Sequence, residues 1–531
     1  MSLILRSARK KSRLVRGGTD RDESSITSAG IMKRRRKRFL HLLGFAIVAF
    51  WVAMLALLFK KGHFKEQQPA AEHELSVSAI DAVQREWKEI YLGENKAGYA
   101  VTLVKPFGEG YFIRDEVFLK LDLMGMGGGL YASTQALVDE GFFLKSFSLL
   151  MNSGVVRYKV SGRVENDVLL IDAGNGEGGK TRRIKLRKPP MLGVSMNQFF
   201  QSRKFKVGDS FRLPVFDPST MAQREAVVRV ISEEPVRIQK MTYEAFRLEV
   251  EMWGRPITIW IDKGGRTLKE EGPMGLTTVR SSAARAPEGL EGKSGIDLYE
   301  IAAVRTNRSL PDPTRLAYLK LKIEGISGGG VNPKALNSGR QKIVDGIIEI
   351  HREGLPSRGA YLLPYDDRTG EMKGFLESEL NVESDDEEVK TMAGEISGED
   401  RDPVTVARKL MNWVYRKVDK KPVLSVPSAL ETLRRRVGDC NEHATLLVAL
   451  LRASGIPARL CTGLVYNREN FYYHAWTEAY LDGWISMDAT MNQMPVDATH
   501  IKLVEGNLEK QVEIAGLIGE LQLEVIDFRH D

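Results

Sequence analysis

Gly438-Asp439-Cys440-Asn441-Glu442-His443-Ala444 places a thiol where a helix should begin. Asp439 and Glu442 have capping-box spacing, which predicts Asp439 at the N-cap and Cys440 at the first helical position. Leu446, Leu447, Leu450 and Leu451 continue the helix, and Gly455 with Pro457 predicts a stop near Ser454. The positive end of the helix dipole favours a thiolate, the reactive form of cysteine. Backbone N–H groups at the same end can donate to a developing oxyanion.

Downstream, residues 458–466 read as a strand that carries Cys461. Residues 471–480 read as a second strand, on which His474, Trp476 and Glu478 share one face by period two. A turn at 481–483 leads to a third strand over 484–490. A two-residue turn would put Asp488 on the face opposite His474. A three-residue turn pairs Tyr480 with Trp484 and sets His474 diagonally beside Asp488. Gly483 suits the left-handed position such a turn requires. In that register Cys440 attacks a carbonyl, His474 takes and returns the proton, and Asp488 holds the imidazole.

Gly438-Asp-Cys440, Ile456-Pro-Ala-Arg459, His474-Ala-Trp476 and Gly483-Trp-Ile-Ser-Met-Asp-Ala-Thr490 resemble the transglutaminase-like superfamily, which shares a papain-like core. The resemblance covers residues 384–506. Asp497-Ala-Thr-His500 is similar to the tail of a bacterial subgroup. Ala489 departs from the pattern, where proline is usual. The resemblance implies helices packed on an antiparallel sheet, with the cysteine at a helix start and the histidine and aspartate on adjacent strands. It implies acyl transfer through a thioester, and the superfamily includes cross-linking transferases, peptidases, amidases and inactive members. Asp439, Glu442, Tyr473 and Trp476 are expected to support the triad or contact substrate. The expected substrate is a peptide or protein in the cell envelope, with amide hydrolysis favoured over cross-linking because water needs no second binding site.

Three other readings compete for these residues. Cys440, His443, His474 and His500 could be assembled as a metal site, but paired short-spacing ligands are missing. His443 is then read as helix packing or a supporting donor, and His500 as structural or surface. A Cys440–Cys461 disulfide requires their Cα atoms within about 7 Å; the alternative is that Cys461 packs as a small hydrophobe. Third, the chain could be a non-catalytic envelope scaffold with a relic core. No cofactor, metal or nucleic acid is needed for the enzyme reading.

The 531-residue chain is too long for one domain. Its net charge of +7 is concentrated near the N-terminus. An apolar run at 39–59 comes next, long enough for one membrane helix, and the basic excess before it predicts a cytoplasmic N-terminus. The expected organisation is a basic tail (1–38), a transmembrane helix (39–59), a linker (60–80), an antiparallel β domain (81–285), a connecting α/β region (300–380) and a transglutaminase-like domain (381–531). The β domain rests on period-two runs such as 117–123, 227–231 and 246–252, with 124–129 read as a bulge or turn. Strands are expected at 316–323 and 343–350. Helices should start at Ser384, with Asp385, Asp386 and Glu387 in the first turn, and at Asp402-Pro403, with Trp413 in the core. The expected class is α+β, in a single-pass inner-membrane protein with its catalytic domain in the periplasm.

Overall fold

The computed structural model describes residues 82–123, 126–153, 157–173, 181–252, 255–291, 303–326, 336–421, 426–506, 517 and 519–531. Fifteen strands form one long antiparallel meander, apart from one short parallel pair at its end. They run from β1 (Gln84–Leu92) to β8 (Arg182–Lys185), and then from β9 (Met191–Leu192) to β15 (Leu276–Ser281). The helix α1 (Met196–Gln201) comes after β9. In space the strands step outward from β1 to β8 on one side and from β15 back to β9 on the other, because β1 pairs with β15. The alternation that builds them is clear at 247–252. There Leu248, Val250 and Met252 are buried while Arg247, Glu249 and Glu251 are less so, as a half-buried strand requires. Of the stretch 124–129, expected as a bulge or turn, residues 126–129 lie in the strand Met126–Val138, where Met126 pairs with Leu123, and residues 124–125 lie outside those described.

The C-terminal part places helices against a second sheet. Strands β16 (Val304–Arg305), β17 (Leu316–Glu324), β18 (Gln341–Val344) and β19 (Ile347–His351) come first. The single strand expected over 343–350 is a hairpin, broken at Asp345 and Gly346, which both have positive φ. The helix α2 (Lys373–Leu376) is next, then α3 (Glu387–Ser397) and α4 (Pro403–Lys417). Asp386, not Ser384, caps α3, accepting from the Glu388 N–H, whereas Asp402 caps α4 with proline at its first turn. Trp413 is half-buried under the Arg436 guanidinium rather than enclosed.

The short parallel pair β20 (Asp419–Lys420) and β21 (Val437–Gly438) flanks α5 (Ala429–Arg435) and leads into α6 (Cys440–Ala453). Strands β22 (Ala458–Asn467), β23 (Asn470–Tyr480), β24 (Trp484–Met487) and β25 (Ile501–Glu505) complete a five-stranded sheet with β16. Every residue of α6 except Ala453 is buried, and the helix packs on β23 and β22 beneath α3, α4 and α5. A last strand, β26 (Gln522–His530), joins β17, β18 and β19 in a separate four-stranded sheet.

Two expectations are corrected here. The described residues are mostly β, 49% strand against 17% helix, rather than α+β with an N-terminal transmembrane helix. Sequence periodicity emphasised the helices around Cys440, while the fifteen-stranded meander and the β17–β26 sheet outweigh them. No helix among the described residues is long and apolar enough to cross a membrane, and residues 39–59 lie outside those described. The single-pass inner-membrane location and periplasmic orientation, drawn from hydropathy and charge alone, therefore do not stand.

Candidate active site

The capping box predicted from spacing is present at the start of α6: the Asp439 side chain accepts from the helix, and the Asp439 N–H donates to Glu442 Oε2 at 3.0 Å. Gly438 makes this possible, since a Cβ there would sit 2.2 Å from the Glu442 Cβ. The box also narrows one expectation. Asn441 N–H donates to Asp439 Oδ1 at 2.8 Å, and the Glu442 N–H is bound to the same carboxyl. Both are thereby spent on the cap rather than held for an oxyanion.

Cys440 is 1% exposed and faces β23. Burial pushes its thiol well up, the charge of Asp439 adds to this, and a hydrogen bond from the Ala475 N–H works in the opposite direction. The Asn441 Nδ2 lies 3.8 Å from the sulfur. In the resting molecule burial therefore outweighs the helix dipole, and the thiol is held protonated. Burial, followed by the charge of Glu442, also raises the Asp439 carboxyl well above its usual range. Cys461 is buried on β22, and both cysteines are free thiols.

The hairpin between β23 and β24 has the three-residue register, Tyr480 opposite Trp484 and Thr477 opposite Met487. Gly483 has φ +106°, the left-handed conformation that the turn needs. The chain leaves the ladder after Met487, and Asp488 bridges back to Gln493. His474 Nε2 and Asp488 Oδ2 are 2.7 Å apart, both fully buried. His474 Nδ1, one residue from the N–H that holds the Cys440 sulfur, has no hydrogen-bond partner among the described residues. Asp488 Oδ1 accepts from the Thr490 and Met491 N–H groups at 2.6 and 3.0 Å. Burial would raise the Asp488 carboxyl, but His474 and His500 outweigh it and hold the group well below its ordinary range.

The expected supporting residues divide by face. The Trp476 ring stacks 6.4 Å from His474 and meets His500 edge-on at 5.3 Å. Tyr473 alternates to the other face of β23 and is fully buried there. His443 is enclosed in α6, its Nδ1 2.6 Å from the Asp439 carbonyl. Burial, then the Lys420 charge, pushes His443 down to about 4, so it is neutral. Burial also lowers Lys420, to about 8.

Sequence reasoning set His500 aside, but the structure puts it in the cluster. Its Nε2 lies 3.3 Å from Asp488 Oδ2 and its Nδ1 3.3 Å from Asp497 Oδ1. One atom each from His474, Asp488 and His500 lies within 4.8 Å of the others, a spacing that could hold a metal ion. The 2.7 Å His474–Asp488 contact is a hydrogen bond, which satisfies those two atoms without an ion. A further element invisible to local pattern is Arg340, at the start of the β18–β19 hairpin. It donates to Ser486 Oγ at 2.9 Å and to the Asp497 carbonyl at 2.5 Å, and pairs with Glu353 at 3.1 Å. The four-stranded sheet thus braces the loop that carries Asp488 and Asp497.

A buried thiol at a helix start and a buried histidine–carboxylate pair thus meet on one antiparallel sheet. Residues 390–489 match the family model of the transglutaminase-like superfamily, and this segment of the chain is a transglutaminase-like core. Residues 146–271 match a second model, described as a protein of unknown function (DUF3108). No curated protein matches the chain. Among solved structures, a putative cysteine protease from Cytophaga hutchinsonii is 20% identical with TM-score 0.28, covering 41% of this chain and 88% of its own. A beta-barrel-like DUF1849 domain protein from Brucella abortus is 15% identical with TM-score 0.29, covering 38% and 97%. A putative protease from Parabacteroides distasonis is 12% identical with TM-score 0.18, covering 71% and 69%.

Proposed function

We propose that the chain is a thiol-dependent acyl-transfer enzyme acting on peptide or amide bonds. Cys440 is its nucleophile, His474 its base and Asp488 the carboxylate that orients the ring. One observation carries this reading: His474 gives Nε2 to Asp488 and leaves the buried Nδ1 without a partner among the described residues, on the strand whose next N–H holds the Cys440 sulfur. A buried ring nitrogen without a partner costs about 1–3 kcal/mol, a cost that a proton-transfer role explains. In the substrate complex His474 Nδ1 would take the thiol proton as the sulfur attacks, so no free thiolate has to build up in the buried site. The sulfur would add to a carbonyl, the leaving amine would take the proton from His474, and water would release the acyl group from the thioester. Hydrolysis needs no amine site, so a peptidase or amidase reading is preferred to cross-linking.

The 1% exposure of Cys440 favours a second reading, a non-catalytic core with a sealed thiol. Alkylation by iodoacetamide at neutral pH, with mass spectrometry of the Cys440 peptide, separates the two. The enzyme reading expects labelling at Cys440 to fall at least about tenfold in His474→Ala. Labelling no faster than at Cys461, and indifferent to that substitution, supports the sealed core.

A further inference from the structure

The proposed mechanism gives His500 no task, yet its ring is buried between two carboxylates. Nε2 faces Asp488 and Nδ1 faces Asp497, each at 3.3 Å. A neutral imidazole carries one N–H and one lone pair. A lone pair directed at a carboxylate oxygen is repulsive, so only the doubly protonated ring satisfies both contacts. His443 supplies the contrast. Its nitrogens also face two acceptors, the Asp439 and Val418 carbonyls, but neither carries a charge to offset burial and the Lys420 charge is nearby, so it stays neutral. At His500 both acceptors are carboxylates.

Asp497 is itself anchored to hold its charge. Its Oδ1 accepts from the Thr499 N–H and hydroxyl at 2.9 and 2.6 Å, and its Oδ2 from Gln493 Nε2 at 2.8 Å. Among the described residues, Asp488, Asp497 and the His474 ring, at 5.8 Å, are the ionisable groups that face His500, while Lys420 and His443 act on Asp488 from the α6 side.

We propose that His500 is a positioning residue charged at neutral pH, an imidazolium that fixes Asp488 against His474 and sets the pH at which the Cys440–His474 pair ionises. The inference rests on the function proposed above. Burial would lower the His500 pKa, but Asp497 and Asp488 outweigh it and raise the value, in agreement with the geometry. A fixed cation this close favours loss of the first proton from the thiol–imidazole pair. Without it, both macroscopic steps of the pair move to higher pH. Coulomb's law at about 6 Å with an effective dielectric near 20 gives a shift of about one to two pH units.

Two measurements test this. In the full chain with Cys440→Ser, ring 15N spectra at pH 7.5, assigned among the eight histidines by His500→Gln, should show two protonated nitrogens for His500. Asp497→Asn should return the ring to a single N–H. In the protein with Cys440 intact, the midpoint of the iodoacetamide rate against pH should rise by about one unit or more in His500→Gln, and by less in Asp497→Asn, where an anion is lost together with the cation. A neutral His500 at pH 7.5 overturns the proposal, as does an unmoved midpoint in folded His500→Gln. If the unsubstituted protein shows no activated Cys440, the enzyme reading falls, and the ring spectra still decide the charge of His500.

Discussion

Alanine at Gly463 should pull the site apart from behind. Gly463 stands opposite His474 on β22 and opposite Lys502 on β25, at a register shift between Thr462 and Gly463. A Cβ built there lies 1.9 Å from the Ile501 carbonyl oxygen, and ordinary contact begins at 3.4 Å. The strand must therefore withdraw by about 1.5 Å, because the obstruction is backbone and has no rotamer to change. Such a shift breaks several β22–β25 hydrogen bonds, each contributing about 1 kcal/mol, and crowding adds a similar amount. The expected cost is about 3 kcal/mol, a factor of roughly 150 in the unfolding constant. Since β25 begins directly after His500, the ring should also retreat from Asp488. Urea unfolding monitored by tryptophan fluorescence reads the stability, and Cys440 alkylation reads the site. A loss below about 0.5 kcal/mol with unchanged alkylation would refute the steric reasoning.

Gly394→Ala is the matched control: it lies inside α3 with nothing within 4 Å of the added Cβ, so it should stabilise by about 0.5–1 kcal/mol in the same urea assay. Glu478, fully buried, accepts from Arg459 Nε at 2.8 Å and from Lys502 Nζ at 2.7 and 3.0 Å. Glu478→Gln leaves two cations undercompensated and should lower stability by about 3 kcal/mol in equilibrium unfolding; a neutral effect would mean that Glu505, which also pairs with both, suffices. Asp488, Asp497 and Glu478 are held below their ordinary values of 3.8, 3.8 and 4.5. Their contribution is complete above those values and is lost as pH falls through the lower folded ones. Thermal midpoints should thus hold down to about pH 5 and drop below about pH 4, and a midpoint falling between pH 7 and 5 would point to other groups.

The core around Cys440 was legible because its signals are local. A capping box, a glycine–proline stop and a period-two strand each lie within a few residues, and Gly483 suited the three-residue turn that the expected triad required, which is the register found. His500 and Arg340 were not legible. Their partners come from a loop folded back by Asp488–Gln493 bridging and from a strand hairpin far earlier in the chain. Neither meeting leaves a spacing in the sequence. The hairpin at 341–351 was missed because its apolar residues run nearly continuously, and only Asp345-Gly346 marks the reversal. The thiolate expected from the helix dipole was outweighed by burial, a quantity that sequence pattern does not contain.

The pairing of Trp87 with Ser281 makes the fifteen-stranded meander a round trip. Nearly two hundred residues depart from one rim and return to it, so the excursion adds almost no distance between the chain before residue 84 and the chain after residue 281. A cassette of this kind can be removed and its stumps joined by a short spacer. Such a deletion would remove the contacts of Arg182 with Ser378 and Asp385 and leave the strand ladders of the transglutaminase-like core whole.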